Sequence, residues 1–429
     1  MRARLRSSRR PHPPRPRVDA VTDTARSSTV GDIVRRSARQ YADRPALVSG
    51  GRSWTYRGLD AAVSRAAAAL LDHGLRHGDR VAVIGHSSDA SVLAFLACAR
   101  AGLVHVPAPP TTRDEGLEHL LTDSAPAAVL VDPDLRARMD HIGVPGSTLV
   151  LSLSGDPTSL VETARRGPVP GDDDSVPDDA PLQLLYDLGT GEDPRAIRLT
   201  HRALVHACAS AVIALECHPE DRPLHVIGHH LPTSLHAFLL PYLAVGAANA
   251  VTSTADIAEI LERIKEHDAG ALFLPPELWT RLAEDDSVHA RNVVSLHKAF
   301  CSAPGLPQPA LDVLRARAPG LGFYTVSGRP EIASLATVLS PAEHHDHPNS
   351  YGRPVLFVEM RVVDATGADV GVGQVGEVVY RSPQLFDGHG PAASLPEEGA
   401  GGWFRSGDVV RREVDGLLTR VSHFTADHR

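Results

Sequence analysis

The sequence predicts an α/β protein built on mostly parallel sheets, followed by a small β subdomain. Strand-like and helix-like patterns alternate over residues 30–165 and again over 181–345, which is typical of sheets covered by helices on both faces. Residues 166–180 are rich in Pro, Gly and Asp and predict an acidic, exposed loop between the two regions. Short β-rich runs between Gly and Asp turns over residues 346–422 predict the small β subdomain.

The first region shows the alternation most clearly. Apolar residues from Leu59 to Leu71 recur at helical spacing and stop before Gly74, which predicts one helix. The elements that follow are a strand over 81–84, a helix over 90–101, a strand over 103–106 that stops before Pro107, a further helix, and a strand over 127–131. In the last region, strands are predicted over 358–363 and 376–380.

Composition narrows the class of protein. The 429-residue chain is long enough for two or three subdomains, and its hydrophobic content of 42% is ordinary for a globular protein. A formal net charge of -9 argues against nucleic acid as a partner. No apolar run approaches the length of a membrane-spanning helix, so we expect no membrane insertion. The four cysteines lack metal or disulfide spacing and are expected to be buried in a reducing, cytoplasmic protein: Cys98, Cys208, Cys217 and Cys301.

Residues 1–29 form an Arg- and Pro-rich segment without an apolar core. Prolines at Pro11, Pro13 and Pro14 interrupt any helix, and the pair Arg9-Arg10 lacks the hydrophobic run that a twin-arginine signal requires. We therefore predict a disordered tail, or a start codon assigned too early.

A six-residue run near the end of the chain resembles a motif of the adenylate-forming (ANL) superfamily, which includes acyl-CoA synthetases, peptide-synthetase adenylation domains and luciferases. The run is Trp403-Phe404-Arg405-Ser406-Gly407-Asp408, and it resembles the pattern W-[FY]-R-[ST]-G-D. The resemblance implies that Asp408 holds the ribose hydroxyls of a nucleotide.

Other runs resemble the same superfamily and follow in its order. They are Arg44-Pro45-Ala46-Leu47, Trp54-Thr55-Tyr56, Gly78-Asp79-Arg80-Val81-Ala82-Val83, Ala101-Gly102 with Val106-Pro107, Tyr351-Gly352-Arg353-Pro354, and Gly376-Glu377. The resemblance covers residues 30–422. It implies two doubly wound, mostly parallel subdomains packed together, with a small β-barrel-like subdomain.

Residues 186–195, with the sequence Y-D-L-G-T-G-E-D-P-R, resemble the phosphate loop of the superfamily, which is close to Y-T-S-G-[ST]-T-G-x-P-K. Such loops bind phosphate because glycine allows close backbone approach and N–H groups point at the oxygens. The resemblance implies phosphate contacts from Gly189, Thr190, Gly191 and Arg195, with Arg195 also a weak catalytic candidate. The alternative is a glycine-containing turn between a strand and a helix that binds nothing.

The same loop departs from the family pattern at several positions. Asp187 and Leu188 replace a Thr-Ser pair, and Glu192 places an acid where it would face phosphate. Arg195 replaces a lysine, which keeps the charge and changes the shape. We expect these changes to weaken ATP binding.

Three further segments resemble nucleotide and acid contacts. Ser302, Ala303 and Pro304 match the adenine-pocket strand. In residues 327–331, Gly328 and Glu331 are kept, and the resemblance implies that Glu331 holds Mg2+; a solvated carboxylate at a turn is the alternative. Tyr324 lies upstream of the lost aromatic position, and its strand register is wrong for a stacking role.

His230 resembles the histidine that lines the acyl pocket in the superfamily, although a packed core histidine is the alternative. Residues 343–347, with the sequence E-H-H-D-H, invite comparison with a metal site. Adjacent residues point in different directions, so we predict a solvated loop there.

The resemblance implies an ATP-dependent activation of a carboxylic acid. The acid would form acyl-AMP, with Mg2+ as cofactor, and the acyl group would pass to CoA or to the phosphopantetheine thiol of a carrier protein. In the superfamily a mobile C-terminal lid domain follows the Asp408 motif and delivers a catalytic lysine, whereas this sequence ends at Arg429. Lys265 and Lys298 lie near no motif, so we expect the lid domain to be absent and independent catalysis to be impaired.

Two alternatives stay open from the sequence. The first is a catalytically dead pseudoenzyme that binds a nucleotide, an acyl group or a partner protein such as an intact ligase. The second is half of a split ligase, with the lid domain supplied in trans by another polypeptide.

Overall fold

The computed structural model describes residues 28–170, 176–186, 196–226, 228–303, 305–390 and 402–423. The strands of these ranges are β1 Pro45–Ser49, β2 Arg52–Thr55, β3 Arg80–Ile84, β4 Val104–Ala108, β5 Ala128–Val131, β6 Leu149–Ser152, β7 Pro181–Tyr186, β8 Ala196–Thr200, β9 Pro223–His225, β10 Asn249–Val251, β11 Ala271–Phe273, β12 Lys298–Ser302, β13 Gly322–Ser327, β14 Thr337–Leu339, β15 Arg353–Pro354, β16 Glu359–Val363, β17 Val375–Arg381, β18 Gly388–His389, β19 Phe404–Arg412 and β20 Leu418–His423.

The α-helices are α1 Val30–Gln40, α2 Tyr56–Asp72, α3 Asp89–Ala101, α4 Asp114–Ser124, α5 Arg136–Ile142, α6 Leu160–Arg165, α7 His201–Ala214, α8 Leu240–Val245, α9 Ile257–His267, α10 Pro276–Glu284, α11 Gln308–Arg317 and α12 Pro341–His344. Short 3-10 turns occur at Pro133–Leu135, Ala290–Asn292 and Pro330–Ile332, and Ser234–Leu239 is a π-helical segment.

A seven-stranded sheet has the order β18-β8-β7-β4-β3-β5-β6, parallel from β7 to β6. Its two faces are both buried, because alternate residues of β3 enter different cores. Val81 and Val83 pack with α2 and α3, whereas Ala82 and Ile84 pack with α4. Helices therefore cover both faces, as the sequence predicts.

A nine-stranded sheet has the order β15-β14-β13-β12-β11-β9-β10-β1-β2 and is parallel from β13 to β1. It too is covered on both faces. Leu272 and Ala299 pack with α9 to α11, whereas Phe273 and Phe300 face the segment that leads into α8. The predicted α/β class, with mostly parallel sheets, is confirmed.

Sheet membership cuts across the boundary placed at 166–180. Strands β1 and β2 come from the first region of the chain yet belong to the nine-stranded sheet, and β7 and β8 come from the second region yet belong to the seven-stranded sheet. Hydrophobic periodicity identifies a strand and carries no information about its neighbours. Of the predicted loop, residues 171–175 lie outside the described ranges.

The last part of the chain forms a four-stranded antiparallel sheet, β16-β17-β19-β20, curled into a half-barrel. Val362, Val378 and Val410 pack it onto the core that faces β11 to β13. The predicted small β subdomain is therefore confirmed, and it shares a hydrophobic core with one face of the nine-stranded sheet.

Most predicted elements of the first region are confirmed within a few residues. The helix predicted from Leu59 is α2, which begins after Thr55, whose hydroxyl accepts the Gly58 N–H (3.1 Å). One prediction is corrected: β4 continues through Pro107 to Ala108. Proline is tolerated there because β7 pairs with β4 only at His105, so no partner needs its missing N–H.

The remaining expectations have mixed outcomes. All four cysteines are buried and free, as predicted. No helix in the described part of the chain is both long and apolar enough to cross a membrane. Of the predicted N-terminal tail, residues 1–27 lie outside the described ranges.

Candidate nucleotide and acid site

Two of the predicted nucleotide segments lie side by side at one edge of the nine-stranded sheet. Ser302 is the last residue of β12, and the Ala303 N–H donates to the Val326 carbonyl of β13 (2.9 Å). Ser327 is the last residue of β13, so residues 328–331 begin at the same edge. Ligands of doubly wound proteins bind at this carboxyl edge, because the loops there diverge and leave a crevice.

Gly328 is required by packing in this crevice. A Cβ atom at this position would lie 2.6 Å from the Leu335 backbone nitrogen and 2.7 Å from that of Ala336. Backbone atoms cannot move aside as a flexible side chain does. The fold alone thus explains this glycine, and a nucleotide contact by Gly328 stays a prediction.

Glu331 is buried in the 3-10 turn Pro330–Ile332, which packs against β8. Its carbonyl accepts the Phe386 N–H (2.8 Å), which ties the turn to the segment leading into β18. Within the described ranges, its Oε2 atom is buried without a hydrogen-bond partner and faces the Arg329 Nε at 3.5 Å. The solvated carboxylate that sequence analysis left as an alternative is therefore not what the structure contains.

The Asp408 motif forms a bulge in β19. Val379 pairs with Arg405 and Glu377 with Val409, so residues 406–408 occupy more length than the partner strand offers. The Ser406 hydroxyl donates to the Val378 carbonyl (2.7 Å) and accepts the Asp408 N–H (3.0 Å). Gly407 adopts a positive φ of 73°, a conformation that glycine allows and that lets the chain turn between Ser406 and Asp408.

The flanking residues of the motif hold this bulge in place. Arg405 pairs with Glu377, whose second oxygen accepts the Gly407 N–H (3.0 Å). The Trp403 ring lies between the guanidinium groups of Arg361 and Arg381, at 5.2 and 4.8 Å from its centroid. Every side chain from 403 to 406 except Phe404 thus has a polar or cation-π partner, while Phe404 packs edge-on against Phe386.

Electrostatics link Asp408 to the crevice of Glu331. Burial raises the pKa of Tyr351, the negative charge of Asp408 raises it further, and Arg420 and Arg329 oppose the shift. The pKa of Tyr380 is also raised, first by burial and then by Asp408, with Arg329 again opposing. Asp408 and Arg329 therefore act electrostatically on the same two tyrosines, and a shared site for the predicted ribose and metal residues stays a prediction.

His230 lines a small cavity of about 20 Å³ at the carboxyl ends of β3 and β4. The neighbouring His229 is buried, and a hydrogen bond of 2.9 Å joins its Nδ1 atom to the Ser87 hydroxyl. Burial lowers the pKa of His230 to about 4 and that of His229 well below the usual value, so both rings are neutral at pH 7. From the sequence, the pair His229-His230 resembles the acyl-pocket segment, with His230 the better match; Ser87 was missed, since nothing in its local pattern distinguishes it from a core residue.

A second buried polar chain supports the same region. The His236 Nε2 atom bonds the Gln183 side-chain oxygen (2.6 Å), and the Gln183 amide nitrogen bonds the His105 Nδ1 atom (3.1 Å). Burial lowers the pKa of His236 and of His105 to about 3, so both are neutral. The chain fixes the π-helical segment after His230 to the centre of the seven-stranded sheet.

Several predicted site residues lie outside the described ranges: Gly189, Thr190, Gly191, Arg195 and Pro304. The strands on either side of the phosphate-loop segment are described, and Tyr186 of β7 pairs antiparallel with Ala196 of β8. The segment therefore connects two paired strands, which corrects the alternative of a strand-to-helix turn. Helix α7 begins only after β8, where the Thr200 hydroxyl accepts the Ala203 N–H.

Neither lysine approaches the cleft. Lys298 is the first residue of β12, at the strand end opposite Ser302 and about 13 Å away by the rise of a strand. It is buried, with its Nζ atom 2.8 Å from Asp221. Lys265 is exposed on α9. The expectation that neither lysine replaces a catalytic one agrees with these positions.

Tyr324 and the histidine-rich segment are not part of the site. Tyr324 lies in the core, and its hydroxyl donates to Glu216 (3.0 Å). In residues 343–347 the side chains have separate partners: Glu343 pairs with Arg353, and His344 is buried against Thr325. Across the described ranges, the group that could offer three metal-ligand atoms together is instead His86, Asp132 and Asp134.

Comparison with known proteins agrees with the motifs and the fold. A feruloyl-CoA synthase from Amycolatopsis is 28% identical over 399 residues, which span 92% of this chain and 78% of that protein. An L-proline--[L-prolyl-carrier protein] ligase from Streptomyces coelicolor is 29% identical over 419 residues, with the same coverage. The crystal structure of a long-chain-fatty-acid-CoA ligase from Archaeoglobus fulgidus superposes with a TM-score of 0.84 at 20% identity, over 93% of this chain and 84% of that one.

The described architecture therefore matches the large N-terminal domain of adenylate-forming enzymes, with its two sheets and half-barrel. Residues 34–389 match the AMP-binding enzyme family. The relatives of this chain include acyl-CoA ligases. The chain belongs to the AMP-binding enzyme family.

Proposed function

We propose that this chain binds the acyl-adenylate of a carboxylic acid and that its capacity to form that adenylate alone is weak. The observation that carries the proposal is the buried Glu331 carboxylate beside Arg329, just past the carboxyl ends of β12 and β13, together with the complete Asp408 bulge in the half-barrel that packs on the same core. Family membership supports ATP or AMP as the nucleotide and CoA or a carrier-protein thiol as the acceptor.

In this proposal each segment has one role. Asp408 accepts hydrogen bonds from the ribose hydroxyls, and the strand end at Ser302, Ala303 and Pro304 forms the wall of the adenine pocket. The backbone of residues 189–191 and the Arg195 guanidinium bind phosphate oxygens. His230, neutral and half-buried at its cavity, contacts the acid.

Glu331 fits magnesium as a single ligand, because its Oε2 atom is buried and has no hydrogen-bond partner among the described residues. Magnesium, when bound there with the nucleotide, would neutralise charge on the phosphates. The carboxylate of the acid would attack the α-phosphorus, with pyrophosphate as leaving group, and a thiol of CoA or phosphopantetheine would then take the acyl group.

Weak independent catalysis follows from the residues at the phosphate loop. Asp187 and Glu192 bring negative charge toward the phosphates, and Leu188 removes a hydroxyl. Losing one preorganised donor costs about 2.7–4 kcal/mol of barrier in comparable sites. Several such losses leave binding as the main retained property.

Calorimetric titration tests the binding step. We expect a non-hydrolysable acyl-adenylate mimic to bind with micromolar affinity and Asp408→Ala to weaken it at least about tenfold, the loss of a hydrogen bond to a charged group. Asp364→Ala is the matched control, an exposed acid of the same subdomain whose side chain bonds to Thr366 and Ala368 of its own turn, and it should leave affinity unchanged. Absence of binding by both ATP with Mg2+ and the mimic would sink the proposal.

Pyrophosphate exchange then separates the ligase from the alternatives. Slow exchange by this chain alone supports the proposal. Exchange that appears only after addition of a separate lid domain favours a split ligase. Binding without exchange in either case favours a pseudoenzyme, and a pull-down with an intact ligase or carrier protein then tests a partner role.

A further inference from the structure

Arg329 is a charged residue beside Glu331 to which the family pattern gives no role. It precedes the 3-10 turn of Glu331, and its side chain is 38% exposed. Its carbonyl accepts the N–H groups of Ile332 (3.0 Å) and Ser334 (2.9 Å), so its backbone is fixed and only the side chain can reorient.

The contact between Arg329 and Glu331 is incomplete. The Nε and Oε2 atoms are 3.5 Å apart, which exceeds the usual length of a charge-assisted hydrogen bond. In the described part of the chain both atoms are buried without a hydrogen-bond partner. A guanidinium cannot lose its proton to relieve this condition, so the pair retains unmet donor and acceptor capacity.

The position of Arg329 relative to Asp408 indicates what it could bind. Arg329 lies two residues past Ser327, the last residue of β13, and so stands at the carboxyl edge of the nine-stranded sheet; both Arg329 and Asp408 influence the pKa values of Tyr351 and Tyr380. The turn after Arg329 also packs against β8, the strand that follows the phosphate-loop segment. If Asp408 holds the ribose, the phosphate attached to that ribose lies near the guanidinium.

Charge balance supports the same assignment. A phosphate beside the Glu331 carboxylate is unfavourable unless a cation stands between them. Magnesium can fill that role, although it dehydrates reluctantly and needs near-ideal octahedral geometry. Arg329 is already in place, and its planar fork suits two phosphate oxygens.

We propose that Arg329 is a phosphate-binding residue of this chain, shared between Glu331 and the α-phosphate of the nucleotide. It supplies the positive charge that makes nucleotide binding only weakly dependent on Mg2+. This inference rests on the proposed function, because it assumes that the ribose lies at Asp408.

The test compares AMP with adenosine, since the two ligands differ only in the phosphate. Affinities are measured calorimetrically for the wild type, Arg329→Met and Arg329→Lys, each with magnesium and with EDTA. For the wild type we expect AMP to bind more tightly than adenosine and to lose less than about threefold on removal of magnesium. Arg329→Met should weaken the affinity for AMP by about tenfold or more, as expected for the loss of one charge-assisted hydrogen bond, and should leave the affinity for adenosine unchanged. Arg329→Lys should restore part of the loss, because it keeps the charge and not the fork.

Three results would overturn the inference. An unchanged AMP affinity in Arg329→Met would show that Arg329 does not contact the phosphate. An equal loss of affinity for AMP and for adenosine would indicate a merely structural role. Wild-type affinity for AMP that disappears with EDTA would assign the charge to magnesium. If adenosine binds and these results occur, the nucleotide site stands and only the role of Arg329 fails; if neither ligand binds, the proposed function fails with it. Melting temperatures of all three proteins show that each is folded.

Discussion

The corner of the cleft around Asp408 and the corner around Glu331 have kept their family patterns to different degrees. Around Asp408, residues 403–408 all match the motif, and the fold uses them to build a bulge through Ser406, Gly407 and the Glu377 pair. Around Glu331, packing against backbone fixes Gly328, whereas Ser327 and Pro330 stand where the family pattern has an aromatic residue and a hydroxyl residue. The residues that match the family are thus the ones that the fold itself needs, so a complete motif is weaker support for turnover than for architecture.

The largest expected effect concerns acid, because the fold buries several neutral histidines outside the Asp408 bulge. Burial lowers the pKa of six histidines from 6.5 to about 3 or 4: His105, His201, His225, His230, His236 and His344. Above pH 6.5 both folded and unfolded chains hold these rings neutral. Below it the unfolded chain takes up protons that the native state refuses, so stability is lost as pH falls toward the folded pKa values.

Each such histidine removes about 1.4 kcal/mol of stability per pH unit below 6.5, so several together exceed a typical domain stability well before pH 4. Urea unfolding at a series of pH values measures this slope. His344→Gln keeps an acceptor for Thr325. It should reduce the slope of stability against pH by the amount that corresponds to about one proton taken up on unfolding. Stability that stays constant between pH 7 and pH 5 would contradict the prediction.

A matched pair of glycine substitutions compares the two corners directly. Gly328→Ala drives a Cβ atom into backbone at 2.6 Å, and we expect a loss of about 3 kcal/mol, as for overpacking against rigid atoms. Gly407→Ala meets no atom within 4 Å and suffers only from its positive φ of 73°, so its expected loss is about 1 kcal/mol. Urea midpoints measured at pH 7.5 give both values. Equal losses would show that packing does not distinguish the corners.

The smallest expected stability effect is that of Ser406→Ala. The buried hydroxyl donates to Val378 and accepts from Asp408, so its removal leaves a buried carbonyl and an N–H without their bonds, at about 1 kcal/mol. The bulge then loosens, and the acyl-adenylate mimic should bind several-fold more weakly, as calorimetry can measure. A stability loss without any change in affinity would separate the bulge from the function of Asp408.

The sequence predicted the elements that have a periodic hydrophobic pattern and the residues that match a specific motif. Asp408 could be located because six consecutive residues match, and the register of β13 correctly kept Tyr324 away from the cleft. The bulge that presents Asp408 could not be predicted, because it depends on Glu377 in another strand. The Arg329–Glu331 pair and the Ser87–His229 hydrogen bond were not predicted, since the contacts of a buried polar side chain depend on its surroundings in space and leave no periodic signal. A positive charge two residues before Glu331 was the one available clue.

The exchange of strands between the two halves of the chain has a consequence for biosynthesis. The Asn249 side chain donates to the Ala46 carbonyl, 203 residues away in sequence, beside the parallel pairing of β1 with β10. At translation rates of about 5–20 residues per second, β10 leaves the ribosome about ten seconds or more after β1, so β1 is without its partner strand for that time. Until then an apolar edge strand stands open, so chaperone demand and misassembly during synthesis should concentrate on the first β-hairpin, and relieving that exposure is a rational route to better yields of the protein.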